Sequence, residues 1–347
     1  MVDISKIQKR ILELVYQKNR PDFDGIENEW WFENGKPRTR RIIVVYNPRS
    51  SKAGLVRESV IKPLQSTTGV MFGKYEVKPT DVDDNAAELA KILVDGDIVV
   101  AAGGDGTATI GLNGVMLSKK SVRFTSVPFG NFNDMARILA KASGKELYPL
   151  EATIDGKHYR YAACYFTIGM FAESTEIFDA EKTRKKLQKG NKGISFSIRT
   201  LVKWYFRNKR KIFIPPFKYA STTKTYDRNG VFQVKVKLLN EEESKGISDY
   251  MAINGVSVAK MMKGGKNFYT HKSDFLSTTG KLNKFFRLIP FMTKAILSRI
   301  PSEISTEDTI TFPDYGDVEI QAEGEYKKLT HVGKIVISKA ENPIKIL

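Results

Sequence analysis

The sequence predicts a two-domain α/β protein, in which a parallel sheet is followed by a second, mostly antiparallel domain. The first observation is a series of short apolar runs between Arg41 and about Pro149, each ending in turn residues and leading into a helical pattern, as βα units do. The second is a succession of strand-like segments after about Leu150, interrupted by few helical patterns. The length of 347 residues also fits two domains of about 150 residues each.

The same patterns set the domain boundaries. Residues 1–37 are predicted to be a helical appendage, because apolar residues recur at helical spacing between Ile4 and Val15. Residues 38–149 are assigned to the α/β domain and residues 150–347 to the β-rich domain, whose last residues could return to the first domain. Hydrophobic residues make up 41% and charged residues 27% of the chain, a composition that excludes a disordered or collagen-like protein.

Cysteine and histidine are too scarce for a disulfide framework or a zinc finger. The chain has one cysteine, Cys164, and three histidines, so neither an intramolecular disulfide nor a zinc-ligand pattern can be assembled. The N-terminal segment lacks the apolar core of a secretory signal, and no apolar run reaches about 18 residues. We therefore expect a cytoplasmic protein that associates with a membrane only peripherally.

The charge is strongly positive and unevenly distributed. Lysine and arginine total 56 against 39 acidic residues, a formal net charge of +17, which favours anionic partners. Between Lys182 and Lys218 there are 13 basic residues and no acidic one, together with Trp204, Tyr205 and Phe206. We expect this basic segment to bind an anionic membrane surface; alternatively, its apolar residues face the protein core.

Three βα units bring polar loops to the same edge of the predicted sheet. The strands are residues 42–46, 97–102 and 124–129, and the loops that follow them are residues 47–54, 103–107 and 130–134. Ligands of open parallel sheets gather where the loops leave the carboxyl ends of the strands. We therefore expect all three loops to face one crevice.

The loop from Gly103 to Thr107 has the properties of a phosphate site. A glycine turn before a helix exposes backbone N–H groups where the helix dipole favours an anion, although glycine often serves only the turn itself. A phosphate beside Asp105 would need a cation between the two anions, and Mg²⁺ is the natural one. Asp134 and Asp84 are further candidate ligands; alternatively, Asp134 stabilises a helix dipole and Asp84 caps a helix.

A second carboxylate site follows the strand at residues 318–321. Glu323 and Glu325 flank Gly324, and residues two apart in an extended segment point the same way. One carboxylate raises the pKa of a neighbouring one, so this pair could supply a general base. The alternative is a solvent-facing hairpin turn.

Together these motifs resemble the diacylglycerol kinase catalytic family of lipid kinases, which is related to sphingosine kinases and more distantly to NAD kinases. The P-loop and protein-kinase motifs are both missing from the sequence. The resemblance runs from about Arg41 to the C-terminus, and five segments carry it: GGDGT at 103–107, NPRSSKAG at 47–54, PFGNFNDMAR at 128–137, IGMFA at 168–172 and EGE at 323–325.

The resemblance implies a Rossmann-like nucleotide-binding domain, a C-terminal β-sandwich domain and an active site in the cleft between them. ATP and Mg²⁺ are the implied cofactors. Glu325, helped by Glu323, would take the proton of a lipid hydroxyl, and Asp105 would act in catalysis and hold the metal with Asp134 and Asp84. Asp274 would belong to a second, structural magnesium site. The expected nucleotide contacts are Asn47, Ser50, Thr80, Gly103, Gly104, Gly106, Thr107 and Asn133.

The predicted reaction is transfer of the γ-phosphoryl group of ATP to a membrane lipid, most readily diacylglycerol, giving phosphatidic acid. The alternatives are a sphingoid-base or NAD kinase, or a silent lipid-binding protein of the same fold. The sequence departs from the family at Thr109 and Ile110, where an Asn-Glu pair is usual, and at Asn131, Phe132, Glu323 and Phe275. A nucleic-acid partner is not expected because no recognition motif accompanies the charge; a homodimer is left open.

Overall fold

A computed structural model describes most of the chain, which divides into two compact units. One unit runs to Lys145 and also takes Ile344–Leu347; the other comprises Glu146–Pro343. Most of the predicted helical appendage, residues 1–31, lies outside the described residues. The described residues are 32–33, 36–37, 40–66, 70–130, 133–142, 144–179, 194–208, 214–226, 232–255, 257–258, 262–263, 268–282, 285–297 and 300–347.

The first unit is built on five parallel strands, which lie in the sheet in the order β4 (Val70–Glu76), β3 (Arg40–Tyr46), β5 (Ile98–Gly103), β6 (Arg123–Pro128) and β20 (Ile344–Ile346). Its central strands are continuous apolar runs because both of their faces are buried. The last strand comes from the C-terminus, where Ile346 pairs with Phe124. Ahead of the sheet, β1 (Phe32–Glu33) pairs with β2 (Lys36–Pro37).

Helices connect these strands, as the βα pattern predicts. Buried apolar side chains from the first helical segment, including Val56, Val60 and Leu64, pack with those of the strands in one core cluster. The helical segments are α1 (Ala53–Val56), a π-helical stretch (Arg57–Ile61), α2 (Lys62–Gln65), α3 (Val82–Ile92), α4 (Asp105–Ser118) and α5 (Asp134–Ala142).

The second unit holds a ten-stranded antiparallel sheet. Its long strand β18 (Glu307–Ala322) pairs with β11 (Lys218–Tyr226) along its first part and with β10 (Tyr165–Gly169) along its last part. The sheet surrounds a common core that includes Phe166, Phe217, Tyr250 and Phe275. The strands are β8 (Leu150–Ile154), β9 (Lys157–Ala162), β10 (Tyr165–Gly169), β11 (Lys218–Tyr226), β12 (Phe232–Leu239), β13 (Asp249–Ile253), β16 (Phe275–Gly280), β17 (Glu303–Ser305), β18 (Glu307–Ala322) and β19 (Glu325–Lys339).

Within the described residues, the remaining elements of this unit are short strands and four helices. In the part of the chain that the structure describes, no helix has the length and apolar character needed to cross a membrane. The predicted fold class, a parallel α/β sheet followed by a separate antiparallel sheet, is confirmed. The elements are β7 (Glu146–Leu147), β14 (Ser257–Val258), β15 (Met262–Lys263), α6 (Met170–Asp179), α7 (Ile194–Asn208), α8 (Glu241–Ser244) and α9 (Phe285–Leu297).

Candidate functional site

The three predicted loops leave the same edge of the parallel sheet. Gly103 at the end of β5 pairs with Pro128 at the end of β6, and Val45, one residue before the end of β3, pairs with Ala101. The backbone N–H of Phe129 donates to the carbonyl of Gly103 at 2.8 Å. Two glycine-containing loops therefore lie side by side at the start of α4 and ahead of α5.

These two loops approach each other so closely that glycine is required. A Cβ atom on Gly130 would lie 2.5 Å from the Cα of Gly104 and 2.8 Å from Oδ1 of Asn133. The Asn133 side chain closes its own loop, because Oδ1 accepts from the Gly130 N–H at 2.8 Å and Nδ2 donates to the Gly130 carbonyl at 2.9 Å. Asn133 itself adopts a left-handed backbone with φ of 56°, which asparagine tolerates better than most residues.

Asp105 is the first residue of α4 and lies between the two loops. Its Oδ1 accepts from the backbone N–H of Met135 at 3.2 Å. Although part of the residue remains exposed, burial by the surrounding protein and the nearby charge of Asp134 raise the pKa of Asp105 to about 7. The N–H groups of Met135 and Asn133 and the charge of Arg137 oppose that rise. The groups that stabilise the ionised carboxylate of Asp105 are therefore too weak to offset its burial and the charge of Asp134.

Asp134 is buried at the start of α5 and forms an ion pair with Arg137. Across the described ranges, no three histidine, cysteine, aspartate or glutamate side chains come together as a metal cluster. The carboxylates of Asp105 and Asp134 thus lie close enough for their charges to interact. Among the described residues, Asp84 does not form a group of three carboxylates with them. A partly exposed carboxylate beside a second one is still chemically suited to Mg²⁺, which is held through one or two carboxylates plus phosphate oxygens.

The loop after β3 is organised by the two residues predicted to contact the nucleotide. Asn47 accepts the N–H of Arg49 on its side chain at 3.0 Å and that of Ser50 on its carbonyl at 3.1 Å. Ser50 in turn accepts from the N–H of Lys52 on Oγ at 3.3 Å. The first turn of α1 has no side-chain cap, and the N–H of Ala53 donates instead to the carbonyl of Ser50 at 2.9 Å.

Asn85 is a residue that the sequence analysis missed. It is fully buried, and its Nδ2 donates to Oγ1 of Thr80 at 2.9 Å and to the carbonyl of Asp81 at 2.8 Å. Its Oδ1 accepts from the N–H of Lys78 at 2.8 Å. One amide thereby fixes the loop from Lys78 to Asp81, which carries Thr80 and leads into the helix of Asp84. An asparagine within the first turn of a predicted helix is the signal that could have revealed it.

Asp84 is exposed in the first turn of α3. The helix cap is Asp81, whose carboxylate accepts from the N–H of Asp84 at 2.8 Å. The alternative that Asp84 is itself the cap is therefore wrong. Its assignment as a metal ligand stays a prediction.

The carboxylates of the second unit lie on a tight hairpin. Ala322 pairs with Glu325, and the two residues between them, Glu323 and Gly324, have φ of 55° and 90°, as in the two-residue turns that join twisted strands. The expectation that Glu323 and Glu325 share one side of an extended segment is wrong, because Glu323 belongs to the turn.

Glu323 is also not a solvent-facing turn residue. It is 1% exposed, and its Oε1 accepts from the backbone N–H of Cys164. Glu325, at the start of β19, is partly exposed. The buried carboxylate thus ties the hairpin to the segment before β10, while Glu325 remains accessible for chemistry.

The buried Lys339 supports the segment of Cys164, before β10, through Asn254. Lys339 donates from Nζ to the carbonyls of Tyr148 and Phe268, both at 2.8 Å, and to Oδ1 of Asn254. Asn254 donates from its backbone to the carbonyl of Cys164 at 2.7 Å. Burial lowers the pKa of Lys339 to about 7, but three acceptors satisfy its three donors and favour the charged form. This contact chain was not foreseen from the sequence.

Asp274, the predicted ligand of a structural magnesium ion, lies in the same unit as this lysine. Its carboxylate accepts from the Ser273 hydroxyl at 2.9 Å and lies 3.6 Å from Nδ1 of His271. Its negative charge favours the protonated form of Lys339 and so opposes the fall in the pKa of that lysine. The metal assignment stays a prediction.

The two positions that depart from the family pattern after GGDGT lie inside the protein. Thr109 and Ile110 are both buried in α4, and the Thr109 hydroxyl donates to the carbonyl of Asp105 at 2.9 Å. These residues pack the helix behind the glycine loop. Ile110 thus places a buried apolar side chain at the position where the family pattern has a carboxylate.

Only part of the predicted basic segment, 182–218, lies within the described residues. In α7, Trp204 and Tyr205 are buried whereas Phe206 is exposed. The two larger aromatic side chains therefore belong to the protein interior, which favours the alternative considered for them in the sequence.

Because burial and the charge of Asp134 disfavour the ionised form of Asp105, we expect a neutral side chain at this position to stabilise the protein. Between pH 4 and pH 7 the unfolded carboxyl is already ionised while the folded one still holds a proton, so the stability of the wild-type protein falls through this range. We expect Asp105→Asn to increase the free energy of unfolding by about 1–2 kcal/mol at pH 8, a value reduced for partial exposure, and by nothing measurable at pH 4. Urea unfolding of both proteins measures the difference.

The exposed acid Asp314 provides a control for the loss of one negative charge, and Asp314→Asn should not reproduce the stabilisation expected of Asp105→Asn at pH 8. Equal stabilities of wild type and Asp105→Asn at both pH values would contradict the proposed charge environment.

The close approach of the two loops predicts that Gly130→Ala separates them. The added Cβ meets backbone atoms of Gly104, so we expect a loss of at least about 2 kcal/mol in stability and weaker binding of Mg·ATP, measured by urea unfolding and calorimetry. Gly73→Ala, on β4 and outside the three loops, is the control, because the nearest atom to its Cβ position lies 3.5 Å away, an ordinary contact. Equal Mg·ATP affinity of the two variants would show that the contact does not shape the site.

Comparisons with known proteins agree with this architecture. The sequence profile of the family described as "Diacylglycerol kinase catalytic domain" matches residues 41–164. Two solved structures, each described as a candidate diacylglycerol kinase from Bacillus anthracis str. Sterne, resemble this chain at 17% and 15% identity with TM-scores of 0.52 and 0.51. Each comparison covers 87% of this chain and 94% of the other. No curated protein matches the sequence.

At these identities the structural likeness shows a shared fold, whereas the profile match identifies the domain. The matched range contains the loop of Asn47, the loop of Asp105 and the loop of Asn133. It ends before the hairpin of Glu323, which the profile therefore does not cover. The resemblance deduced from the motifs is confirmed over residues 41–164, which match the diacylglycerol kinase catalytic domain model.

Proposed function

We propose that this protein is an ATP- and Mg²⁺-dependent lipid kinase that phosphorylates the hydroxyl group of diacylglycerol. The observation that carries the proposal is the Asp105 carboxylate, which lies at a helix N-terminus between two glycine loops and has a pKa raised to about 7. Such a carboxylate is suited to a cation that accompanies an anionic ligand. The family of the matched domain supports the kinase class.

The nucleotide phosphates would be bound mainly by backbone groups. Gly103, Gly104 and Gly106 would bring the chain close to a ligand. The loop before α1 and the N-terminus of α4 would contribute backbone N–H donors, and α4 adds a positive helix dipole. The side chains of Asn47 and Ser50 hold the first of these loops in shape. Asn133 does the same for the loop beside Gly104.

Asp105 would hold Mg²⁺, and Asp134 and Asp84 remain proposed partners through water. When bound, the ion supplies positive charge that offsets the phosphate oxygens. Asp105 must be ionised for this role, so we propose that nucleotide binding draws its proton away. The backbone N–H of Met135 then holds the ionised side chain in place.

The proton acceptor for the lipid hydroxyl is proposed to be Glu325, with Glu323 as its support. The hydroxyl oxygen forms a bond to the γ-phosphorus, the bond from that phosphorus to the bridging oxygen breaks with its electron pair going to ADP, and the proton passes to Glu325. Glu323 is buried and hydrogen-bonded to Cys164, which fixes the hairpin. Lys339 and Asn254 brace the same segment.

Diacylglycerol is proposed as the substrate because the two Bacillus anthracis proteins are described as candidate diacylglycerol kinases. The product is then phosphatidic acid. A silent lipid-binding protein is the second candidate, favoured by the apolar Ile110 at the position where the family has a carboxylate. We place either activity at an anionic membrane surface in the cytoplasm, without nucleic acid, and a homodimer is compatible with it.

The proposal is tested with vesicles that contain diacylglycerol, labelled ATP and Mg²⁺. We expect phosphatidic acid from the wild-type protein, a loss of at least about a thousand-fold in kcat with Asp105→Asn, and a loss of about a hundred-fold or more with Glu325→Gln. The exposed acid Glu341 provides a matched control, and Glu341→Gln should be unchanged.

Sphingosine, ceramide, undecaprenol and NAD are assayed in parallel. Faster turnover of one of them would reassign the substrate. Absence of transfer to any of these alcohols by a folded protein that still binds vesicles would support the silent lipid-binding protein and overturn the kinase.

A further inference from the structure

The helix α9 in the second unit exposes an apolar stripe. Its inner face is formed by buried Leu288 and Ala295. On the outer face, Phe286 is 68% exposed, Ile289 47% and Leu297 71%. Ile289 and Leu297 lie three and eleven residues after Phe286, so all three side chains fall on one side of the α-helix. Pro290 and Thr293, also exposed, complete the same stripe.

This distribution differs from that of an ordinary surface helix, which is polar on its solvent side. In α9 both the inner and the outer faces are apolar. Large apolar side chains clustered on a surface mark an interaction site, whereas single ones do not. The outer stripe therefore needs a partner that supplies apolar surroundings.

The charges around α9 define that partner. Between Lys281 and Ile300 the sequence has five basic residues and no acidic one. Two of them, Arg287 and Lys294, lie seven residues apart and thus on one flank of the helix, beside the apolar stripe. The guanidinium of Arg287 lies 5.8 Å from the ring centre of Phe286. An apolar stripe with a cationic flank matches an anionic lipid surface, where acyl chains lie beneath negative headgroups.

We propose that α9 docks the protein onto an anionic bilayer, with Phe286, Ile289 and Leu297 entering the boundary between headgroups and acyl chains. Arg287 and Lys294 contact the headgroup phosphates. This docking rests on the proposed function in one respect only: its purpose would be to bring a lipid kinase to its membrane substrate. Membrane binding itself requires neither ATP nor turnover.

The strand β12 is the competing surface, because Phe232, Val234, Val236 and Leu238 are also exposed on one face. Its charges are mixed, however. Lys237 forms an ion pair with Glu303 at 2.9 Å, and Glu241, Glu242 and Glu243 follow the strand. The carboxylates of Glu241, Glu242 and Glu243, which directly follow the apolar row in the sequence, would be repelled by anionic lipids, so the charge pattern assigns the membrane to α9.

The test is co-sedimentation of the full chain with phosphatidylcholine–phosphatidylglycerol vesicles that lack diacylglycerol, in the absence of ATP. We expect Phe286→Ser with Leu297→Ser to weaken vesicle binding at least ten-fold, since two large apolar groups no longer leave water. Arg287→Gln with Lys294→Gln should weaken binding by about ten-fold or more at low salt, with a smaller loss at high salt. Circular dichroism and urea unfolding check that the variants remain folded.

The matched controls are Val234→Ser with Val236→Ser for lost apolar area and Lys224→Gln with Lys235→Gln for lost charge, all at exposed positions of β11 and β12. Both should bind vesicles as the wild type does. The proposal is overturned if the α9 variants bind normally, if only the β12 variants lose binding, or if the α9 variants instead dissociate a dimer in sedimentation velocity without a change in vesicle affinity.

A soluble short-chain diacylglycerol separates this proposal from the proposed kinase. If both are correct, the α9 variants keep wild-type turnover on the soluble substrate and lose it on vesicles. If the kinase proposal alone fails, no variant turns over either substrate, yet the α9 variants still lose vesicle binding.

Discussion

The placement of the Asp105 carboxylate is the constraint on which the first unit's site depends. Two loops from adjacent parallel strands meet at Gly104 and Gly130 with no room for a side chain between them, and α4 begins in that space with an aspartate. Burial and the charge of Asp134 then make the ionised form of Asp105 costly. The proposed role of Asp105 would therefore come at a cost in stability, as is common at active sites.

The hairpin of the second unit holds the partly exposed carboxylate of Glu325 close in sequence to the buried carboxylate of Glu323. Glu323 occupies a left-handed turn position and anchors the turn to Cys164. A contact chain through Asn254 to the ammonium of Lys339 supports Cys164. Glu325 therefore begins its strand next to an anchored turn, and the proton-acceptor role that we propose for it requires such a fixed position.

The parts of the fold that sequence could predict are those set by local patterns. The apolar runs, the turn residues after them and the glycine loop with Asp105 all lie within short stretches, so their arrangement in a parallel sheet followed. The burial of Glu323 did not follow, because its partner Cys164 is 159 residues away. The roles of Lys339 and Asn254 likewise depend on contacts 71 to 191 residues apart. Trp204 and Tyr205 looked like membrane residues by composition, whereas tertiary packing buries them.

Proton release on nucleotide binding tests the account most directly. If Asp105 has a pKa near 7 and must be ionised beside Mg²⁺, calorimetry with preformed Mg·ATP in buffers of different ionisation enthalpy should show release of about one proton at pH 6 and almost none at pH 8.5. In Asp105→Asn the release at pH 6 should disappear. Equal proton release by wild type and Asp105→Asn at pH 6 would contradict the assignment of this carboxylate to the metal and nucleotide site.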